Sequence, residues 1–154
     1  MLYRPYRPPD FPALYAIEEV CFDPPERFTR SYMRQLTRKR NAATWIAERE
    51  TQMLGFAIAD WTGDRENLAA YIQTLEVLPE ARGQGIGSEL LTRLEDSAKP
   101  AEVRAIWLHV DQENAPAIRL YTNHGFEIRG QEEDYYGPNR PALVYVKLLD
   151  TSRI

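Results

Sequence analysis

The stretch that most constrains this chain runs Val77-Leu78-Pro79-Glu80-Ala81-Arg82-Gly83-Gln84-Gly85-Ile86-Gly87-Ser88-Glu89-Leu90-Leu91. A β-prone segment, Ala69–Val77, leads into alternating glycines, Gly83–Gly87. These lead into Ser88–Ala98, where Leu90, Leu91 and Leu94 recur at helical spacing. A strand–turn–helix unit implies a sheet with a helix packed across it. Such a turn also has a chemistry of its own. Successive backbone N–H groups at the positive end of a helix dipole attract an anion, and glycines let the backbone approach it closely. The plainer reading is a connection that only turns the chain. Two nucleotide-binding patterns do not fit. No lysine follows the glycines, as a P-loop requires. Ser88 stands where a dinucleotide turn, counted from Gly83, needs its third glycine.

The rest of the chain supplies the other layers. Met1–Arg7 reads as a first strand that Pro8 and Pro9 end. Asp10 is a plausible N-cap for a helix over Phe11–Phe22, with Leu14, Ile17 and Cys21 on one face. Asp23-Pro24-Pro25 breaks that helix, and Thr29 or Ser31 starts a basic helix through Arg40. Ala43–Glu50 and Met53–Gly63 form a hairpin, Glu102–Val110 is a strand, and Asn114 caps a helix through His124 that Gly125 ends. Phe126–Arg129 and Pro141–Leu149 close the sheet as a last hairpin. The order β-α-α-β-β-β-α-β-α-β-β predicts an α/β (α+β) fold, a mixed central sheet with helices on both faces.

Length and charge narrow what such a fold does. The 154 residues suit a single domain spanning 1–154. A net charge of −4 disfavours binding nucleic acid through phosphate neutralisation. Cys21 is the lone cysteine, so no internal disulfide forms, as in a reducing cytoplasm. No apolar run approaches the roughly 20 residues of a membrane span, and the arginines and prolines of Met1–Asp10 precede no apolar stretch of a secretory signal. The expectation is a cytoplasmic protein without membrane or metal, monomeric or weakly dimeric.

Arg82-Gly83-Gln84-Gly85-Ile86-Gly87 matches the R/Q-x-x-G-x-G/A signature of the Gcn5-related N-acetyltransferase superfamily. Asn114-Ala115-Pro116-Ala117-Ile118-Arg119-Leu120-Tyr121, followed by Gly125-Phe126-Glu127, resembles its N-x-x-A-x-x-x-Y…G-F element. The resemblance covers nearly the whole chain. It implies acetyl-coenzyme A as co-substrate and a central strand splayed from its neighbour. Backbone groups around Leu75 and Val77 would then hold the pantetheine arm, and the N–H groups of Arg82, Gly83, Gln84, Gly85, Ile86, Gly87 and Ser88 the diphosphate. Asn114 would meet the pantetheine, serve as a plain N-cap, or do both.

Finer pieces resemble protein N-terminal acetyltransferases. Tyr71-Ile72-Gln73-Thr74-Leu75, Leu108-His109-Val110 and Asp134-Tyr135-Tyr136 are similar to segments of the eukaryotic NatE catalytic subunit. The bacterial RimI enzymes carry Glu where His109 stands. The implied acceptor is the free α-amine of a peptide or protein, with direct transfer from the thioester. Tyr121 is the candidate acid for the departing sulfur, and Tyr71 with His109 the candidate base, through one ordered water. Glu76 competes as base, or is a solvated charge at a strand end. Phe22, Pro24, Tyr135 and Tyr136 are candidate substrate-binding residues. The structural alternatives are a satisfied core histidine for His109, a core tyrosine for Tyr121 and a hairpin packing pair for Tyr135 and Tyr136. His124 reads as a dipole or surface residue, Cys21 as packing, and Arg34, Arg38, Lys39 and Arg40 as a solvated face. Two other functions remain open: acetylation of a small amine such as a polyamine, amino acid or drug, favoured by a deep acidic pocket, and a coenzyme A sensor without turnover.

Overall fold

The computed structural model describes residues 1–64 and 66–149. Seven strands form one sheet: β1 (Leu2–Pro5), β2 (Ala42–Arg49), β3 (Gln52–Thr62), β4 (Ala69–Val77), β5 (Ala105–Asp111), β6 (Glu127–Glu132) and β7 (Ala142–Leu148). Their spatial order is β1-β2-β3-β4-β5-β7-β6. Neighbours are antiparallel except β4 and β5, which run parallel. Four helices cover the sheet: α1 (Phe11–Cys21), α2 (Arg30–Arg38), α3 (Ile86–Ala98) and α4 (Ala115–Asn123).

Two cores follow from the two faces. Phe11, Leu14, Ile17, Met33 and Leu36 of α1 and α2 pack on Ile46, Phe56 and Ile58. Ile86, Leu90, Leu91 and Leu94 of α3, with Tyr121 of α4, pack on Ala57, Ala59, Ile72, Ile106 and Leu108. Leu90, Leu91 and Leu94 are wholly buried, and burial stabilises each by about 1.5–3 kcal/mol. The mixed sheet with helices on both faces is as expected.

Two irregularities place the site. β4 pairs with β5 only through Ala69–Tyr71 against Ala105–Trp107, and beyond that the strands part. This is the expected splay. The second is a bulge: Ile58 pairs with Thr74 but Ala59 with Ile72, leaving Gln73 over. One extra residue flips the side-chain phase. Thr74 and Glu76 therefore turn toward α1, while Leu75 and Val77 pack on the α3 side.

Several boundaries differ from expectation. α3 starts at Ile86, because Gly85 in a left-handed conformation (φ 83°) turns the chain directly into the helix. Gly87 and Ser88 thus lie in its first turn. β5 starts at Ala105, since Glu102 is left-handed (φ 60°), outside strand geometry. Thr29, rather than Ser31, caps α2, its Oγ accepting the Tyr32 N–H. Asp10 does not cap α1; its carboxylate takes the Arg4 guanidinium and the Arg7 N–H. The basic stretch is not simply solvated. Arg34 lies over the Phe11 ring at 3.9 Å, and Lys39 pairs with the buried carboxylate of Asp60.

Candidate active site

Where β4 and β5 part, a cavity of about 790 Å³ opens between them. Tyr71 and His109, on the two strands, share the α1/α2 face; Tyr121 reaches the same cavity from α4 on the other. Only the gap in the sheet lets groups from opposite faces meet.

Tyr71 and His109 are directly hydrogen-bonded, hydroxyl to Nδ1, at 2.7 Å. The imidazole Nε2 lies 2.9 Å from Oε1 of Glu132, at the end of β6. Tyr135 stacks on the imidazole at 4.3 Å and 13°, and Trp107 and Tyr71 meet it edge-on. His109 is therefore neither a plain core histidine nor loose. Burial, and then the neighbouring Tyr135 hydroxyl, push the Tyr71 phenol far above its ordinary range, so it keeps its proton. Burial does the same to Tyr121, whose ring meets Phe126 edge-on.

Glu76 does not reach solvent; it is 3% exposed. Its carboxyl accepts the Thr74 hydroxyl at 2.6 Å and faces the carboxyl of Glu18 on α1, itself 1% exposed. Glu18 accepts the Phe28 N–H. Oε1 of each has no partner among the described residues apart from the other carboxyl. Desolvation, then the Glu18 carboxyl, drive Glu76 well above the carboxylate range. The reading of Glu76 as a solvated charge is thus overturned, because the bulge at Gln73 turns it inward. Glu18 lines the cavity and Glu76 does not.

The glycine turn follows the C-terminal end of β4. Gly83 and Gly85 both have positive φ, 78° and 83°, and a Cβ at either would meet nothing within 4 Å. Their demand is conformational, and the space above them is open. A Cβ at Gly87 would meet Leu120 Cδ2 at 3.4 Å and Leu75 Cδ2 at 3.5 Å. First-turn N–H groups of α3 lack intrahelical partners, as at any helix start. An open cradle of this kind fits a diphosphate. Around it, Gln84 Oε1 accepts Arg49, and Arg82 Nε donates to the Val77 carbonyl at 2.9 Å, so that carbonyl is already engaged. Ser88 Oγ bonds His124 Nε2 at 2.7 Å, tying α3 to α4. The half-buried Cys21 thiol sits against Arg82, its pKa raised by burial and then by Glu76. Asn114 Oδ1 caps α4 by accepting the Ala117 N–H, and the residue also lines the cavity.

Of the expected acceptor residues, Phe22, Tyr135 and Tyr136 line the cavity, while Pro24 is exposed and outside it. Residues that sequence reasoning missed line it too: Glu18, Glu26, Phe28, Tyr32, Asp111 and Glu113. The lining is acidic, but Arg140 donates to Glu26 and Asp111 at 2.6 and 2.8 Å, joining the α1–α2 loop to the end of β5. Helical spacing does put Glu18 beside Leu14 and Cys21 on the inner face of Phe11–Phe22; only its charge argues for solvent.

Comparison with known proteins gives the geometry its context. The acetyltransferase (GNAT) family model matches residues 11–126. N-alpha-acetyltransferase 60 of Xenopus tropicalis is 31% identical over 157 residues, spanning 87% of this chain and 65% of that protein. Streptothricin acetyltransferase of Streptomyces lavendulae is 34% identical over 84 residues, 54% of this chain and 43% of that one. The chain thus spans less than two thirds of the length of these curated relatives. Among solved structures, Arabidopsis thaliana NAA60 with a bisubstrate analogue superposes with a TM-score of 0.86 at 25% identity, covering 98% of this chain and 99% of that one. Arabidopsis thaliana Naa50 in complex with the bisubstrate analogue CoA-Ac-MVNAL gives 0.81 at 28% identity, covering 95% and 97%.

Proposed function

The chain belongs to the acetyltransferase (GNAT) family, and from that premise we propose that it transfers acetyl from acetyl-coenzyme A directly to the α-amine of a peptide or protein. The observation that carries this reading is the parting of β4 and β5, which opens one cavity to groups from both faces of the sheet. A donor laid along the free edge of β4 and an acceptor entering from the α1/α2 face would meet there, without an acyl-enzyme.

Each residue then has a task. The N–H groups from Arg82 to Ser88 hold the diphosphate, and β4 around Leu75 and Val77 lies along the pantetheine, which Asn114 also meets. Tyr71 and His109 take the proton from the acceptor amine. Tyr121, kept protonated by burial, gives one to the departing sulfur. A peptide α-amine has a reference pKa of about 7.7–8.0, so a mild base suffices near neutral pH. The buried Glu76 carboxyl, biased toward its protonated form and off the cavity wall, fits a base poorly.

Phe22, Tyr135 and Tyr136 form apolar walls suited to a peptide's first residue, and Naa50 bound to CoA-Ac-MVNAL is a peptide precedent among the similar structures. The acidic lining and the likeness to streptothricin acetyltransferase favour a second reading, a small-amine acceptor. The test is acetyl-coenzyme A consumption on a library of peptides with free N-termini beside polyamines, amino acids and aminoglycosides. Turnover confined to small amines sinks the peptide reading, and cofactor binding without any turnover sinks both.

A further inference from the structure

Building on the transfer reading above, we infer that Glu132 is a positioning residue for the base, its carboxylate holding the His109 imidazole in the tautomer that lets Tyr71 receive the acceptor's proton. A carboxylate only accepts hydrogen bonds. Glu132 Oε1 lies 2.9 Å from Nε2 of His109, so that nitrogen carries the hydrogen. In a neutral imidazole the other nitrogen is then an acceptor. Nδ1 therefore receives the hydroxyl hydrogen of Tyr71, 2.7 Å away. This leaves the Tyr71 oxygen, which also faces the Tyr135 hydroxyl, with acceptor capacity for an incoming amine or a water carrying its proton.

The order of the three groups fixes what each can do. Burial, and then Tyr135, keep the Tyr71 phenol protonated. Tyr71 can take a proton only while it passes its own to Nδ1. The amine loses one hydrogen, Tyr71 ends unchanged, and His109 becomes an imidazolium whose Nε2–H faces the Glu132 carboxylate. As the amine's lone pair forms the new bond to the acetyl carbon, the bond from that carbon to sulfur breaks. Sulfur takes the Tyr121 proton; the resulting phenolate regains one from solvent as His109 returns its own, so both groups end the cycle as they began it. The imidazole plane is set by Tyr135 stacked on one side and by the edges of Tyr71 and Trp107.

The fold delivers Glu132 by a second bulge. β6 pairs Ile128 with Tyr145 but Gly130 with Val144, so Arg129 is the extra residue. The flip puts Gly130 and Glu132 in phase with Val144, which pairs with His109 on the far side of β7. Without the bulge Glu132 would face away from the imidazole. Its side chain is 53% exposed, so changing it does not disturb a core.

The test combines ¹⁵N NMR of the His109 side chain with steady-state kinetics on a free-N-terminal peptide. In the wild type the hydrogen is expected on Nε2. In Glu132→Ala the ring populates both tautomers, and kcat falls roughly tenfold, the scale of losing an orienting partner, with unchanged acetyl-coenzyme A affinity. Glu132→Gln, which keeps an acceptor oxygen, holds the tautomer and recovers part of the rate. A wild-type imidazole with its hydrogen on Nδ1, or unchanged kcat in Glu132→Ala, overturns the proposal. The NMR readout needs no turnover. A wild type inactive on every peptide therefore overturns the acceptor reading, while the tautomer in Glu132→Ala still decides the role of Glu132.

Discussion

At the scale of single residues, burial decides which groups can move protons. Tyr121 is buried and keeps its hydroxyl hydrogen, the state an acid for sulfur must have. Tyr121→Phe keeps the ring against Phe126 and removes only the donor. Turnover should fall about a hundredfold to ten-thousandfold, the usual worth of a general acid, with little change in acetyl-coenzyme A affinity. Near wild-type turnover with chemistry rate-limiting would exclude the role. Glu76 makes a prediction about stability instead. Its folded-state pKa is raised, so between the unfolded value, about 4.3, and the folded one the native state binds the extra proton. Stability must therefore fall as pH rises through that window. Glu76→Gln is neutral throughout and should lose less stability over the same range. Thermal melts from pH 4 upward check this, and parallel curves for the two proteins would contradict it. The sequence marked Glu76 as a competitor to Tyr71 and His109; nothing in it showed that a bulge would bury the carboxyl beside Glu18.

At the scale of elements, the glycine turn divides into parts with separate tasks. Gly83 and Gly85 supply left-handed backbone, whereas Gly87 supplies space between Leu75 and Leu120. Gly87→Val carries methyls into those leucines or into the face where the backbone meets the diphosphate. Acetyl-coenzyme A affinity should drop tenfold or more, about 1.4 kcal/mol, and calorimetry on the folded variant reads it directly. An unchanged affinity would mean that the turn only redirects the chain. The turn was legible because glycine spacing and the leucines of α3 are local signals. The end of β6 was not. The sequence marks only Phe126–Arg129, because β6 is an edge strand exposed along its whole length and Gly130, Gln131 and Glu132 add no apolar residue to continue the pattern.

At the scale of the whole molecule, the cavity mouth is held by contacts distant in sequence. Arg140, between β6 and β7, reaches Glu26 after α1 and Asp111 at the end of β5. Arg140→Ala should raise the KM for peptides while leaving acetyl-coenzyme A binding intact. Salt should mimic it in part, because exposed ion pairs are screened. Peptide kinetics at low and high ionic strength test this; equal losses for peptides and small amines would count against a peptide clamp. The amino-acid order by itself determined the succession of strands and helices, a glycine turn leading into a helix and the family, because periodicity, caps and glycines act over a few residues; where that turn gives way to α3 it placed two residues too late. It also marked Tyr71, His109 and Tyr121 by resemblance. Only the tertiary structure decided that β4 and β5 part after Tyr71, that Glu132 reaches His109, that Glu18 meets Glu76 and that Pro24 stays outside the cavity. The first three depend on strand register and bulges, which shift whole faces by one residue; the last follows the path of the loop after α1.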